Sequence, residues 1–195
     1  MDDAHNLNPP ASLQEIEAAT KAIDFTMASD HLTGALLRTL VATKPAGNFL
    51  ELGTGTGLAT AWIMDGMDTH AKLQTVDHDE ALVTVAKRFL ADDARVTFHL
   101  TDGGDFIQAL TTQQQNFDLI FADTWAGKYT HLDEALALLN PGGIYVIDDL
   151  LPQPNWPEDH PPKVAQLIAT LEQKENLRVT KVNWSTGLII AVKVN

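Results

Sequence analysis

From Asn48 onward the chain alternates short apolar runs with stretches of helical period, and this alternation constrains the fold more than any other feature. The strand candidates are Asn48–Leu52, Lys72–Asp77, Arg95–Leu100, Phe117–Asp123 and Gly143–Asp148. Between them lie helix candidates near Leu58–Gly66, Asp79–Ala91, Gly104–Thr111 and Thr130–Leu139. Strands this apolar, separated by helices, are covered on both faces, which calls for an α/β fold built on a parallel sheet. The end of the chain differs: helix Lys163–Glu175 leads into strand Leu177–Trp184, the connection Ser185-Thr186-Gly187 and strand Leu188–Val194. A short connection ending in glycine reads as a hairpin, so the last strand is expected antiparallel in a seven-stranded, mostly parallel sheet. Ahead of the alternation, Ser12 caps a helical pattern of Leu13, Ile16, Ala19, Ile23 and Met27, with Glu15 completing a capping box. A second helix is expected from Leu32 to Thr43, ended by Pro45 and Gly47. Residues 1–45 thus read as an N-terminal helical cap on a core of residues 46–195, one domain in all, which 195 residues suit.

Charge and composition then remove whole classes of function. Acids outnumber bases 26 to 13, so the net charge of -13 repels phosphate backbones, and the bases do not cluster; no nucleic-acid partner is expected. There is no cysteine, which excludes disulfides, thiolate zinc sites, iron–sulfur clusters and cysteine nucleophiles. The acidic, polar start Met1-Asp2-Asp3-Ala4-His5 is unlike a signal peptide, and no apolar run approaches the roughly 18 residues that span a membrane. A cytoplasmic protein with no membrane partner is the expectation. The first forty-odd residues either cover a pocket or serve a homodimer interface.

The polar residues fall where such a sheet binds ligands. Strand one runs into Glu51-Leu52-Gly53-Thr54-Gly55-Thr56-Gly57, strand two ends at Asp77, strand three just before Asp102, strand four at Asp123 and strand five at Asp148-Asp149. Ligands of open α/β sheets bind beyond the carboxyl ends of the strands. One such Asp would be read as a helix cap; the series of five is read as a site. Glycines permit a tight turn and close approach of a ligand to the backbone, next to the free N–H groups of the following helix. Asp77 lies about twenty residues beyond the loop, where a carboxylate accepts hydrogen bonds from ribose hydroxyls. Leu58 stands where the dinucleotide fingerprint wants Gly or Ala, which disfavours NAD.

With its acidic-x-Gly-x-Gly-x-Gly loop, the sequence resembles the class I S-adenosylmethionine-dependent methyltransferases, and the resemblance implies their Rossmann-like fold. It places Glu51, Gly53 and Gly55 against the methionine part of the cofactor, Asp77 on the ribose hydroxyls, His78 beside the adenine, and Asp102 with Gly103 at the adenine edge. The segment Phe117–Tyr129, with Pro141–Asp149, is similar to the catechol and caffeoyl-CoA O-methyltransferases. That resemblance implies a divalent cation, Mg²⁺, Ca²⁺ or Mn²⁺, held by Asp123, Asp148 and Asp149, the last replacing the family's Asn; such carboxylates are hard oxygen ligands. The plainer alternative leaves Asp148 and Asp149 capping and solvating a loop. The resemblance also implies that Trp125 stands near cofactor and substrate. The family carries its lysine base three residues after the first metal Asp, where this chain has Ala126. Asp123 and Lys128 are therefore the catalytic candidates, although a lysine at 128 points differently and is more often solvated.

The expected activity is O-methylation of a small, hydroxylated, catechol-like acceptor. The alternatives are a metal-independent small-molecule methyltransferase and a binding module that kept the cofactor pocket without the chemistry. After the carboxylate pair comes the proline-rich stretch Pro152–Pro162, with Asn155, Trp156, Glu158, Asp159 and His160, expected to be an irregular loop over the acceptor.

Overall fold

In the computed structural model, which describes residues 2–5, 7–153 and 156–194, the short apolar runs are strands and the helical-period stretches are helices. The chain divides after Asp102 into two compact units. The first contains α1 (Leu13–Ala22), α2 (His31–Ala42), β1 (Asn48–Leu52), α3 (Leu58–Gly66), β2 (Lys72–Asp77), α4 (Glu80–Leu90) and β3 (Val96–Leu100). Its strands pair in parallel, β1 with β2 and β2 with β3. Phe49, Leu50, Leu52, Leu73 and Val76 of β1 and β2 are all buried, as their continuous apolarity requires. Helix α3 is apolar on every side and accordingly buried from Leu58 to Met64. It lies so close to α2 that a Cβ on Gly34 would come within 2.2 Å of the Trp62 ring. The Arg38 guanidinium covers the same ring at 4.7 Å and donates to the carbonyls of Leu7 and Asn8, at 2.6 and 2.7 Å.

The N-terminal helices depart from expectation in their ends. Ser12 has helical backbone angles and its side chain makes no capping bond, so the capping box does not form. Helix α1 stops at Ala22 rather than running to Met27. Asp24 turns into the left-handed region at φ 54, and the Thr20 carbonyl accepts from Ile23 and Phe25, closing the helix. Ile23 and Met27 are left exposed. The working cap belongs to α2, where Asp30 accepts from the N–H groups of Leu32 and Thr33 at 2.7 and 2.9 Å.

The second unit holds α5 (Gly103–Thr112), β4 (Phe117–Ala122), α6 (Leu132–Ala137), β5 (Leu139–Ile147), α7 (His160–Glu172), β6 (Leu177–Val182) and β7 (Leu188–Lys193). Strands β4 and β5 are parallel, while β7 is antiparallel to both β5 and β6. The antiparallel ending is as expected. Strand β5 begins four residues early, because the ladder pairs Phe117 with Leu139 and then shifts to Leu119 with Ile144. Gly142, at φ 77, lets the intervening residues bulge. The proline-rich stretch is only partly irregular: α7 starts at His160, with Pro161 and Pro162 in its first turn, where a missing N–H costs no helical bond. Residues 154 and 155, and so the expectation for Asn155, lie outside the described residues. Among the described residues, no helix is long and apolar enough to cross a membrane.

Candidate functional site

The glycine loop of the first unit is built by hydrogen bonds from its own strand ends. Gly53, Gly55 and Gly57 have φ of 106, 52 and 91, all in the region that favours glycine. The N–H groups of Gly53 and Thr54 donate to the Val76 carbonyl at 2.9 and 3.1 Å, which fastens the loop to the end of β2. The next residue, Asp77, receives the Gly55 N–H on Oδ2 at 2.9 Å and the Asp79 N–H on Oδ1 at 3.0 Å. A carboxylate has about four acceptor sites, so Asp77 is held in place with capacity left for two hydroxyls. His78 follows with an exposed ring, its Nδ1 3.6 Å from Asp77 Oδ1.

Glu51 is the penultimate residue of β1. It is fully buried, and its Oε2 accepts from Thr60 of α3 at 2.6 Å and Thr75 of β2 at 2.5 Å. Thr75 also shares a hydrogen bond with Thr54 at 2.6 Å. In this arrangement the carboxylate braces the loop from beneath. Helix α1 reaches the same loop, since the Thr20 hydroxyl donates to the Ile16 carbonyl and lies 2.7 Å from the Thr56 hydroxyl. The Phe25 ring lies 3.5 Å from where a Cβ on Gly55 would stand. A recess of about 240 Å³ opens here, lined by Thr20, Phe25 and Leu58 among others. None of these threonines carries a signal in spacing that would have marked it in the sequence. Asp102 is exposed at the end of the first unit, and Gly103 begins α5 of the second.

In the second unit the chain brings Asp123, Lys128, Asp148 and Asp149 together. The loop after β4 is a tight turn: the N–H groups of Lys128, Tyr129 and Thr130 all donate to the Trp125 carbonyl, at 2.9 to 3.2 Å. Gly127 takes φ 85, and its carbonyl accepts from the buried Tyr145 hydroxyl at 2.8 Å. This turn sends Lys128 inward, contrary to the expectation of a solvated side chain. Only 5% of the Lys128 side chain is exposed; its Nζ lies 3.6 Å from Asp123 Oδ1 and donates to the Asp148 carbonyl at 3.0 Å. Ala126, at the family's lysine position, is buried, and a Cβ on Gly103 would come within 2.9 Å of its methyl.

Asp148 is buried, and its Oδ1 accepts from the Thr186 hydroxyl and, at 2.7 Å, from the Asp149 N–H. Burial pushes its carboxyl up to about 6; the Thr186 bond opposes the rise, the Asp149 charge adds to it, and the Asp149 N–H and the Lys128 ammonium oppose it. Asp149 itself sits at φ 61, a left-handed backbone that Asp tolerates better than most residues. Beside these carboxylates is an aromatic group. Trp125, half exposed, meets Tyr129 edge-on with centroids 5.2 Å apart, and Trp156 lies 4.4 Å from His160. The Tyr129 hydroxyl is 3.1 Å from His160 Nε2. Burial, then the Asp149 charge, raises the Tyr129 pKa to about 12. Burial, then the Lys128 and Lys163 charges, lowers that of His160, with Asp159 and Asp149 opposing. Tyr129 and Thr186 were not among the expected site residues: Tyr129 closes the Phe117–Tyr129 segment with no role attached to it, and Thr186 lies in the hairpin connection.

The carboxylates do not fit a divalent ion as they stand. Ca²⁺ asks for six to eight oxygens at about 2.3–2.6 Å, and Mg²⁺ for a near-octahedral shell at about 2.0–2.1 Å. Asp123 and the Asp148 carbonyl already face an ammonium, and Asp148 Oδ1 is bonded to Thr186 and Asp149. Among the described residues, no group of three or more carboxylate or imidazole side chains is arranged to hold a metal ion.

Comparison with known proteins gives three results. The model of a family described as O-methyltransferase matches residues 5–194. A catechol O-methyltransferase of Niastella koreensis is 30% identical over 124 residues, covering 60% of this chain and 56% of that one. The chain spans only about half the length of the curated relatives it matches first. Among solved structures, the O-methyltransferase TomG of Streptomyces achromogenes, in complex with SAM, superposes with TM-score 0.85 at 20% identity, covering 99% of this chain and 94% of that one. An O-methyltransferase of Bacillus cereus, in complex with SAH, gives TM-score 0.85 at 20% identity, covering 97% and 93%. These likenesses show the fold: Rossmann-like, with seven mostly parallel strands, an antiparallel last strand and flanking helices.

Proposed function

The chain belongs to the O-methyltransferase family, and we propose that it transfers a methyl group from S-adenosylmethionine to a hydroxyl of a small, catechol-like acceptor. The observation that carries the reading is Asp77, fixed by the Gly55 and Asp79 N–H groups at the end of β2 with acceptor capacity to spare. The residues present fit the cofactor. Asp77 would take the two ribose hydroxyls, and Gly53 and Gly55, without side chains, would admit the methionine part to the backbone. Glu51 would keep that loop in shape through Thr60 and Thr75 rather than touch the ligand. When bound, S-adenosylmethionine supplies an electrophilic methyl carbon on a positively charged sulfur.

The chemistry left to the protein is positioning and proton removal. In the balanced reaction the acceptor oxygen forms a bond to the methyl carbon, the carbon–sulfur bond breaks, and the hydroxyl proton passes to a base or to water. Trp125, half exposed, stands with Tyr129 and Trp156 around the buried His160 and offers a surface suited to a planar ring. Asp123 and Asp149 are the nearby carboxylates able to orient a hydroxyl. The name of the Niastella koreensis relative supports a catechol-like acceptor. No step in this reading passes through a divalent cation, because the carboxylates do not fit one as arranged.

Two measurements test the reading. Calorimetry should show binding of S-adenosylmethionine and S-adenosylhomocysteine, and label from the methyl group should appear on catechol. Absence of binding by both nucleosides would overturn the methyltransferase reading; binding with no transfer to any catechol would overturn the catechol-like acceptor and leave a methyltransferase of another small molecule or a cofactor-binding module.

A further inference from the structure

We infer that Lys128 is the resident cation of the Asp123–Asp148 pocket, its ammonium supplying the positive charge that a divalent ion would otherwise bring. The inference rests on the proposed function only for the reaction it serves; the charge argument stands on this chain's own geometry.

Burying an ammonium is costly unless opposite charge and hydrogen-bond acceptors meet it. Lys128 is almost wholly buried, and both are present: Asp123 Oδ1 at 3.6 Å and the Asp148 carbonyl at 3.0 Å. Conversely, Asp123, Asp148 and Asp149 would repel one another without a cation among them. Each half of the pocket therefore explains the other. The turn that delivers the lysine is itself specified, by the Trp125 carbonyl collecting three N–H groups, by Gly127 at φ 85 and by the Tyr145 hydroxyl on the Gly127 carbonyl. Lys128 is thus delivered by the backbone to this position, not left there by a flexible side chain. A lysine also differs from a metal ion in what it can do. It donates up to three hydrogen bonds and carries one charge, so it can hold the carboxylates apart and orient an oxygen, without drawing several oxygens into one coordination shell.

The test uses the whole protein, dialysed against chelator and titrated with Mn²⁺, Mg²⁺ and Ca²⁺ in turn. Calorimetry and the electron paramagnetic resonance of Mn²⁺ should show no stoichiometric site in the wild type, and its melting temperature should not move. Lys128→Met and Lys128→Gln leave the carboxylates without their cation. Whichever folds should bind Mn²⁺ at least about tenfold more tightly than the wild type, a modest part of what removing one charge a few ångströms away allows. A single tight Mn²⁺ site in the wild type overturns the inference, as does a variant that binds no better than the wild type. None of these measurements needs turnover, so they separate from a failure of the methyltransferase reading, which cofactor calorimetry reports. If turnover is found, chelator should leave its rate unchanged, and loss of the rate in chelator would also overturn the inference.

Discussion

Removing the Asp77 carboxylate should produce two separate losses, one in the free protein and one in cofactor binding. In the free protein the carboxylate holds two backbone N–H groups, Gly55 at 2.9 Å and Asp79 at 3.0 Å. The Gly55 bond is half-buried and the Asp79 bond exposed, so their net worth is about 1–2 kcal/mol together. For a chain of this size that lowers the melting temperature by roughly 2–8 °C. Cofactor binding should suffer more. Two ribose hydroxyls on an ionised carboxylate contribute about 1.5–2 kcal/mol each, so Asp77→Ala should weaken S-adenosylhomocysteine by roughly 10²- to 10³-fold. Asp77→Asn keeps one acceptor oxygen but turns an NH₂ toward a backbone N–H or a hydroxyl, and should lose about half of that free energy. Calorimetry with S-adenosylhomocysteine, which cannot turn over, isolates the binding loss, and thermal denaturation without ligand isolates the structural one. Affinity of Asp77→Ala within about threefold of wild type, less than about 0.7 kcal/mol, would refute the assignment of Asp77 to the cofactor.

Two glycines of positive φ should respond differently to a methyl group. Gly57→Ala meets Ala86 Cβ at 2.9 Å as well as strain at φ 91 and should cost about 2–4 kcal/mol, whereas Gly142→Ala, with nothing within 4 Å, should cost about 1–2 kcal/mol of strain alone; equal losses in urea denaturation would contradict the packing argument. His160 has its folded pKa below the ordinary 6.5, so the unfolded state binds its proton more readily and stability is lost as pH falls below 6.5 through the folded value. His160→Gln should therefore flatten the fall in melting temperature between about pH 7 and about pH 5, and an unchanged slope would place the proton elsewhere. Trp125→Ala should raise the KM for a catechol by roughly 2- to 10-fold while leaving S-adenosylhomocysteine affinity unchanged; a matching loss of cofactor affinity would remove Trp125 from the acceptor surface.

What the sequence made legible followed from backbone period and from glycine. Strands β1 and β2 and helix α3 have the ends read from their apolar runs, because those runs are bounded by residues of contrary preference. The turn after β1 was legible for a related reason: Gly53, Gly55 and Gly57 all take positive φ, which glycine adopts with least strain. Where local signals compete, tertiary contacts decided. Ser12 and Glu15 spell a cap that the folded chain does not use, while Asp30, unremarked in the sequence, makes one with two bonds. Lys128 was the hardest residue to read. Its direction is set by the Gly127 turn and by Tyr145, seventeen positions beyond it, and no spacing rule counted from Asp123 contains that information.

The contact of Thr20 with Thr56, and of Phe25 with Gly55, has a practical meaning for anyone handling this protein. The stretch ahead of the first strand reads in sequence as a helical cap, with nothing in its residues to say which part of the core it touches. Part of it is a wall of the glycine loop, held by a side-chain hydrogen bond between two buried hydroxyls. A trimmed protein lacking α1 would retain every glycine of the motif and still present a differently shaped loop. Libraries meant to reshape the glycine loop should therefore vary positions 20 and 25 along with the glycines, since a change at one is felt by the other.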